Sequence, residues 1–300
     1  MIEPWPQLKY SEWKDTLATL HMWTQVVGKI RLEQTPLINH WWNVPLYVSA
    51  RGLTTAAMRY QDRVFEIEFD FIDHKLLIEC SDGSTKTLAL RPQSVADFYN
   101  EVMNALHELG IEVQIWTMPV EVPDPIRFTE DHQHKSYDPE YANRLWRALT
   151  RMDEVLTEFR ARFVGKVSPV HFFWGSFDMA VTRFSGRPAP PREGADLITR
   201  EAYSHEVISH GFWPGNKDME AAFYSYTAPE PAGLAQAQVK PAGAFYSSEM
   251  KEFFLPYEHV QQSASPEATL MDFCQSTYEA GADLAKWDRS NLERRDDPRS

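Results

Sequence analysis

Phe65-Glu66-Ile67-Glu68-Phe69-Asp70-Phe71 alternates apolar and acidic side chains one for one. Successive side chains of a strand point to opposite faces, so this two-residue period makes a ribbon with an aromatic face for a core and an acidic face for water. The next apolar run, 76–80, leads into Ser81-Asp82-Gly83-Ser84. There Asp-Gly supplies the positive backbone angles of a tight hairpin before Leu88 and Leu90. An antiparallel meander follows, with a further strand expected over 40–49. Upstream, Trp13, Leu17, Leu20, Thr24 and Val27 recur at helical spacing behind Ser11, and Gly28 suits a helix exit. Downstream of Pro92, Ser94 can cap a helix that turns Val95, Phe98, Val102, Leu106 and Leu109 to the core, with Gly110 just past its end. Residues 1–116 therefore read as helix, four strands, helix.

The same order returns further on. Asp138-Pro139-Glu140 combines a cap, a proline with preset φ and an acidic first turn. The stripe Tyr141, Leu145, Ala148, Met152, Val155, Phe159 and Phe163 continues from it. Strands are expected within 170–184, 203–212, 222–227 and 245–255, and Ser265-Pro266-Glu267 opens a last helix through Leu270, Phe273, Cys274 and Leu284. Short strings repeat in order: Val27-Gly28-Lys29-Ile30 as Val164-Gly165-Lys166-Val167, and Asp97-Phe98 as Asp272-Phe273. The expected fold is α+β, two similar helix, four-stranded meander, helix units in a pseudo-two-fold arrangement. They would span 1–116 and 138–288. The connector 117–137 has prolines at 119, 123 and 125, and the tail 289–300 is almost wholly charged or polar, hence expected to stay unordered.

With 300 residues, 43% hydrophobic and 13% aromatic, the chain can bury a large core without disulfides or metal. A formal charge of −13 repels phosphate backbones and anionic lipid, which argues against nucleic acid as a partner while leaving room for a local anion pocket. No run approaches the roughly 20 apolar residues of a membrane span, and the start MIEPWPQLKY lacks the basic and apolar parts of a signal peptide. A cytoplasmic protein is expected. Cys80 and Cys274 read as buried free thiols.

The densest run of unusual residues is Pro169-Val170-His171-Phe172-Phe173-Trp174-Gly175-Ser176-Phe177-Asp178, continuing through Arg183 to Gly186-Arg187. Together with His205-Glu206 and Gly211-Phe212-Trp213-Pro214-Gly215, it resembles a family of bacterial proteins known only as a domain of unknown function. The resemblance extends over nearly the whole chain and implies no activity, cofactor or catalytic residue.

Read on their own chemistry, His171, Asp178, His205 and Glu206 are the candidate catalytic residues, because imidazole and carboxylate around one cleft can exchange protons. Arg183 would hold an anionic group beside them. Unbroken alternation would put His171, Phe173, Gly175 and Phe177 on one face and Trp174, Asp178 and Ala180 on the other, unless Gly175 marks a bulge. Trp41, Trp42, Trp174 and Trp213 can form a stacking wall for a planar or sugar-like ligand, with Trp213 on a loop tip. His21, Gln25 and Lys29, four residues apart on the opening helix, and His40 complete the candidate ligand-binding set. His132-Gln133-His134 with Asp131 has ligand types for zinc but lacks a second pair, so no metal site is expected, and no cofactor is indicated. A Walker loop, a dinucleotide glycine fingerprint, a nucleophile elbow and paired CxxC motifs are all missing from the sequence.

Two functional readings follow. One is a small-molecule site, binding or enzymatic, in the second unit near the seam between units. The other is a non-catalytic interaction protein whose aromatics meet another protein, or a homo-oligomer.

Overall fold

The computed structural model describes residues 4–294. The first helix, α1 (Tyr10–Gln34), runs six residues past Gly28, and from Met22 to Arg31 it is buried on every side, Trp23, Val27, Lys29 and Arg31 included. A helix buried on every side belongs to the interior rather than the surface. Gly28 is not an exit. A Cβ there would stand 2.3 Å from the Trp174 ring, so the glycine makes room for an indole laid flat against the helix.

The first sheet contains β1 (Tyr47–Val48), β2 (Gly52–Thr54), β3 (Met58–Tyr60), β4 (Arg63–Asp70), β5 (Lys75–Cys80) and β6 (Thr85–Ala89). Its order is β1-β2-β4-β5-β6, all antiparallel, with β3 also pairing β4. The expected count of four becomes six because the strand beside β4 is broken. At Thr55 the chain exchanges Thr55 N to Ile67 O and Ile67 N to Thr55 Oγ1, and Ala56 takes φ 52°, splitting β2 from β3. The stretch expected as a strand over 40–49 is a 3-10 turn at Asn39–Trp41, with His40 and Trp41 at φ 58° and 60°. Pairing is confined to its end, Tyr47–Val48 as β1 and Leu46 in a bridge to Phe172.

Then comes α2 (Val95–Glu108), capped by Ser94 Oγ accepting from Asp97 N at 3.1 Å. It packs with α1 on the aromatic face of β4. Trp23 stacks on Phe98 at 4.6 Å, and Phe98 on Phe69 at 6.2 Å. The connector is irregular apart from a 3-10 turn at Phe128–Glu130. α3 (Pro139–Ala161) starts where Asp138 accepts from Glu140 N and Tyr141 N, with Pro139 in its first turn.

The second sheet contains β7 (His171–Phe173), β8 (Asp178–Pro188), β9 (His205–Gly215), β10 (Glu220–Ala228), β11 (Phe245–Ser247) and β12 (Glu252–Pro256). Its order, β11-β12-β10-β9-β8-β7, is an antiparallel meander. α4 (Leu197–Ala202) lies between β8 and β9, while α5 (Tyr257–Gln261), α6 (Pro266–Leu284) and α7 (Arg289–Leu292) close the chain. α3 and α6 cover one face of this sheet, where Gly281 of α6 lies against Thr227 and Ile208. The two sheets meet at Leu46 and Phe172, which exchange two backbone hydrogen bonds of 2.9 Å, and one apolar core runs through both halves.

The fold is thus α+β, built on two antiparallel six-stranded sheets. Within the stretch expected as an unordered tail, 289–294 folds back on the end of α3. Arg289 pairs with Asp283, Glu279 and Glu293, and Arg294 N donates to Arg162 O. The remainder, 295–300, lies outside the described residues. Among the described residues no helix is long and apolar enough to cross a membrane.

Candidate functional site

The run 170–184 folds on itself as a hairpin. Residues 174–177 form its turn, with Phe177 at φ 58°, so His171 opposes Ala180 and Phe173 opposes Asp178. Directly opposed residues share a face. His171, Phe173, Asp178 and Ala180 therefore lie on one side, correcting the separation that unbroken alternation predicts.

Along β8 the residues Asp178, Ala180, Thr182 and Phe184 point away from α3 and α6, as do Val207, Ser209 and Trp213 on β9, and Tyr224 and Tyr226 on β10. This face encloses a cavity of about 450 Å³. Its roof comes from elsewhere in the chain: His40 and Trp42 from the turn after α1, Glu121 from the connector, Tyr203 after α4, and Met250 between β11 and β12.

At one end stands Asp178, 8% exposed, whose two oxygens accept from Ser176 Oγ and from Tyr224 Oη. Burial pushes its carboxyl up from the usual range, against the pull of those hydrogen bonds. Glu121 faces it, raised by burial and by the Asp178 charge. Across the floor Glu252 is pushed up to about 7, first by burial and then by Asp178. Three carboxyls facing one hollow with no base among them cannot all ionise freely. In the middle, Thr182 and Ser209 hydroxyls bond at 2.9 Å and Tyr203 Oη donates to Tyr226 Oη at 3.2 Å. At the other end His40 donates from Nδ1 to Glu201 O at 3.0 Å and accepts from Lys166 Nζ at 2.7 Å. Burial and the Lys166 charge lower its pKa, which keeps the imidazole neutral.

The other expected residues fall into three groups. Trp213 and Trp42 line the cavity. His171 sits just behind it, 1% exposed, with its ring 5.9 Å from Trp42 and 5.7 Å from Tyr47. Burial, then Arg31 and Arg160, drives its pKa down to about 3. His205 stands 5.7 Å from the His40 ring, with Nδ1 near Ser204 Oγ.

A second group holds the walls in place. His21 Nε2 contacts Gly175 O at 2.8 Å, and Gln25 exchanges two hydrogen bonds with Val120, 2.8 and 2.9 Å. These ties fix the turn bearing Ser176 and the connector bearing Glu121. The Glu121 carboxyl lies so close over Gly175 that a Cβ would be 2.4 Å from Oε1. Trp174 donates from Nε1 to Val44 O at 2.8 Å, and Lys29 lies beneath Trp116 and Trp174, its pKa lowered by burial to about 8. A further hollow of about 470 Å³, with His21 and Lys14 on its wall, adjoins the first through Glu121, Ser176 and Trp213.

The third group faces away. Arg183 is on the helix-covered side, 3.5 Å over the Phe159 ring and donating to Phe159 O, where it caps α3. Glu206 pairs with Arg187 at 2.6 Å, and Arg187 also reaches Ala285 O and Lys286 O at the end of α6. In the connector, Asp131 and His134 bond to each other at 2.7 Å. Among the described residues no group of three or more His, Cys, Asp or Glu is placed to hold a metal.

Sequence reasoning missed Tyr224, Tyr226, Glu252, Glu121 and Ser209. The alternation of Tyr224 and Tyr226 with Phe223 and Ser225 was a readable signal of two different faces. The carboxyls of Glu121 and Glu252 arrive from a loop and a distant hairpin, which no spacing reveals.

The fold and this hollow define an α+β protein with a pocket on the uncovered face of its second sheet. The chain belongs to DUF5996, a family of unknown function, whose model matches residues 5–294. No curated protein and no solved structure matches it.

Proposed function

We propose that this chain is a small-molecule-binding protein whose site is the cavity on the open face of the second sheet, at the seam with the first half. One observation carries the reading: helices cover only one face of β8 and β9, yet both faces are largely buried, and the uncovered side chains ring a hollow rather than fill it. Interiors normally pack to crystal density, and rings and hydroxyls around a void forgo contacts that an occupant would restore. Asp178, His40, Trp42 and Trp213 contact the ligand; His171, His205, His21 and Gln25 hold the walls that do. Trp42 and Trp213 line the hollow instead of standing out as a surface patch, which favours this reading over a protein-protein or self-association surface. The same reading treats 1–116 and 138–288 as duplicated units, of which the second kept the pocket, and places the protein in the cytosol, in keeping with two buried free thiols.

An enzymatic form of the proposal rests on Glu252, held up at about 7 and so suited to proton transfer near neutral pH, with the buried Asp178 carboxyl, also raised, in the same cavity.

Filling the hollow tests the site. Ala180→Leu and Ser209→Phe each place new atoms in the cavity from its floor. Protein purified from cells, denatured and extracted, is expected to release a small molecule that both variants lack while their melting temperatures stay near the parent's. Equal recovery from parent and variants would refute the assignment.

A further inference from the structure

The charge of this pocket is divided between its ends, carboxyls at one and Lys166, behind His40, at the other. Asp178 is more than nine-tenths buried and aimed into the cavity, and both its hydrogen-bond donors, Ser176 and Tyr224, are neutral hydroxyls. No Lys or Arg is among the residues lining the cavity, and no basic group acts on Asp178, Glu121 or Glu252. The Glu252 carboxyl makes no hydrogen bond among the described residues. His40, the base on the wall, belongs to the far end: Asp178 and Phe184 both line the cavity and lie six strand positions apart, about 20 Å. Between these ends the walls carry the rings of Trp213, Tyr226 and Phe254, together with Trp42 and Phe184, over which Lys166 stands at 5.2 and 4.8 Å, and Tyr203, over which Arg192 stands at 3.7 Å. An aromatic ring presents negative charge on its face, and its attraction for a cation grows when both are shielded from water.

Resting on the pocket reading above, we propose that the occupant is an organic cation. Its ammonium or guanidinium group sits among Asp178, Glu121 and Glu252, and its apolar or aromatic body lies along the trough toward His40. An anionic group at this end would meet three carboxyls and no counter-ion, since Lys166 stands at the other end beside His40. A neutral guest would gain nothing from ionisation of these carboxyls, whereas a cation favours their charged forms.

Binding of this kind is linked to pH. Glu252 on β12 is faced by Asp178 on β8, Tyr224 and Tyr226 on β10, and Tyr246 on β11, while no charge from α5 acts on it. With Glu252 held up at about 7, its anionic form gains population across neutral pH, so a cation binds more tightly as pH rises.

The experiment compares three compounds that share a phenyl ring and a short chain: 2-phenylethylammonium, 2-phenylethanol and 3-phenylpropanoate, titrated by calorimetry at about pH 6 and about pH 8. The ammonium is expected to bind about tenfold or more tightly than the other two, and several-fold more tightly at the higher pH. Glu252→Gln, at a partly exposed position with no hydrogen bond to lose, is expected to remove most of the pH dependence and weaken only the ammonium. Equal or tighter binding of the alcohol or carboxylate, no binding of the ammonium at millimolar concentration, or an ammonium affinity indifferent to Glu252→Gln would each overturn the cation. Ser209→Phe separates the two levels of the argument. If a neutral or anionic compound binds and Ser209→Phe abolishes it, the pocket stands and the cation falls; if Ser209→Phe leaves binding of the ammonium untouched, both fall.

Discussion

On the open side of the first sheet, Glu66, Glu79, Thr85 and Thr87 stand at the surface; on the open side of the second, Asp178, Thr182, Ser209 and Tyr224 stand around a hollow. Both sheets are antiparallel meanders and both turn an aromatic, aliphatic face to helices. Burial separates them. β6 reads exposed and half-buried in alternation, whereas β8 has six buried positions in its first seven. A strand with one covered face needs only alternate apolar residues, and a strand with two covered faces needs apolar or satisfied polar groups at every position. The covering of the second face comes from the turn after α1, the connector and α4. The two sheets therefore differ in what the loops enclose, with the helix-backed faces serving as a common base.

If the helix-covered faces are equivalent, truncation should hurt them equally. Phe69→Ala on β4 and Phe212→Ala on β9, each about 1% exposed or less, are expected to cost roughly 3–5 kcal/mol apiece, read from urea unfolding. A markedly smaller loss at one of them would break the equivalence. The open faces should then diverge. Tyr224→Phe removes one of the two donors to the buried Asp178 carboxyl and is expected to cost about 1–3 kcal/mol, the penalty for an under-satisfied buried acceptor. No exposed hydroxyl on the first sheet, such as Thr87, should show a loss of that size.

Where the sequence was legible, the information was local. The alternation in β4 and the Asp82-Gly83 turn are set by neighbours, as are the Ser94 and Asp138 caps. Gly28 misled because its reason is the Trp174 ring, 146 positions away, rather than the helix end. The strand expected at 40–49 failed for a similar cause: His40 is held in a turn by Lys166 and Glu201. At the site, parity alone separates two of the candidates from the others. Asp178 and Arg183 are an odd number of residues apart on one strand, and His205 and Glu206 are consecutive, so neither pair can share a face of an unbroken strand. Glu121 and Glu252 carry no such signal, since only the folded loops bring them to Asp178.

Smaller effects sharpen the contrast through charge. Glu252 has a folded-state pKa of about 7 against an ordinary value of 4.5, so the native state holds the proton over that interval and the unfolded chain does not. Stability attributable to this group is present below about pH 4.5 and falls as pH rises toward 7. Glu252→Gln keeps the neutral form throughout. Allowing for partial exposure to solvent, the variant should match the parent at about pH 4 and exceed it by about 1–2 kcal/mol at about pH 8. A parent whose stability rises across that interval relative to the variant would contradict the burial argument.

The least effect belongs to the first sheet's open face, where Glu66 and Glu79 are directly opposed across β4 and β5. Like charges at opposed positions repel and opposite charges attract, by roughly 0.2–1 kcal/mol relative to neutral pairs. Glu79→Lys replaces the first case by the second at an exposed position, so it is expected to stabilise the protein by an amount in that range, and the gain should shrink in high salt. Thr182→Lys makes a comparable change on the second sheet, at a position lining the hollow. The new ammonium would enter the middle of the cavity and should block the proposed occupant. If Thr182→Lys left ligand recovery as undisturbed as Glu79→Lys does, the two open faces would be alike in kind, and the distinction between a solvated face and a receptive one would not hold.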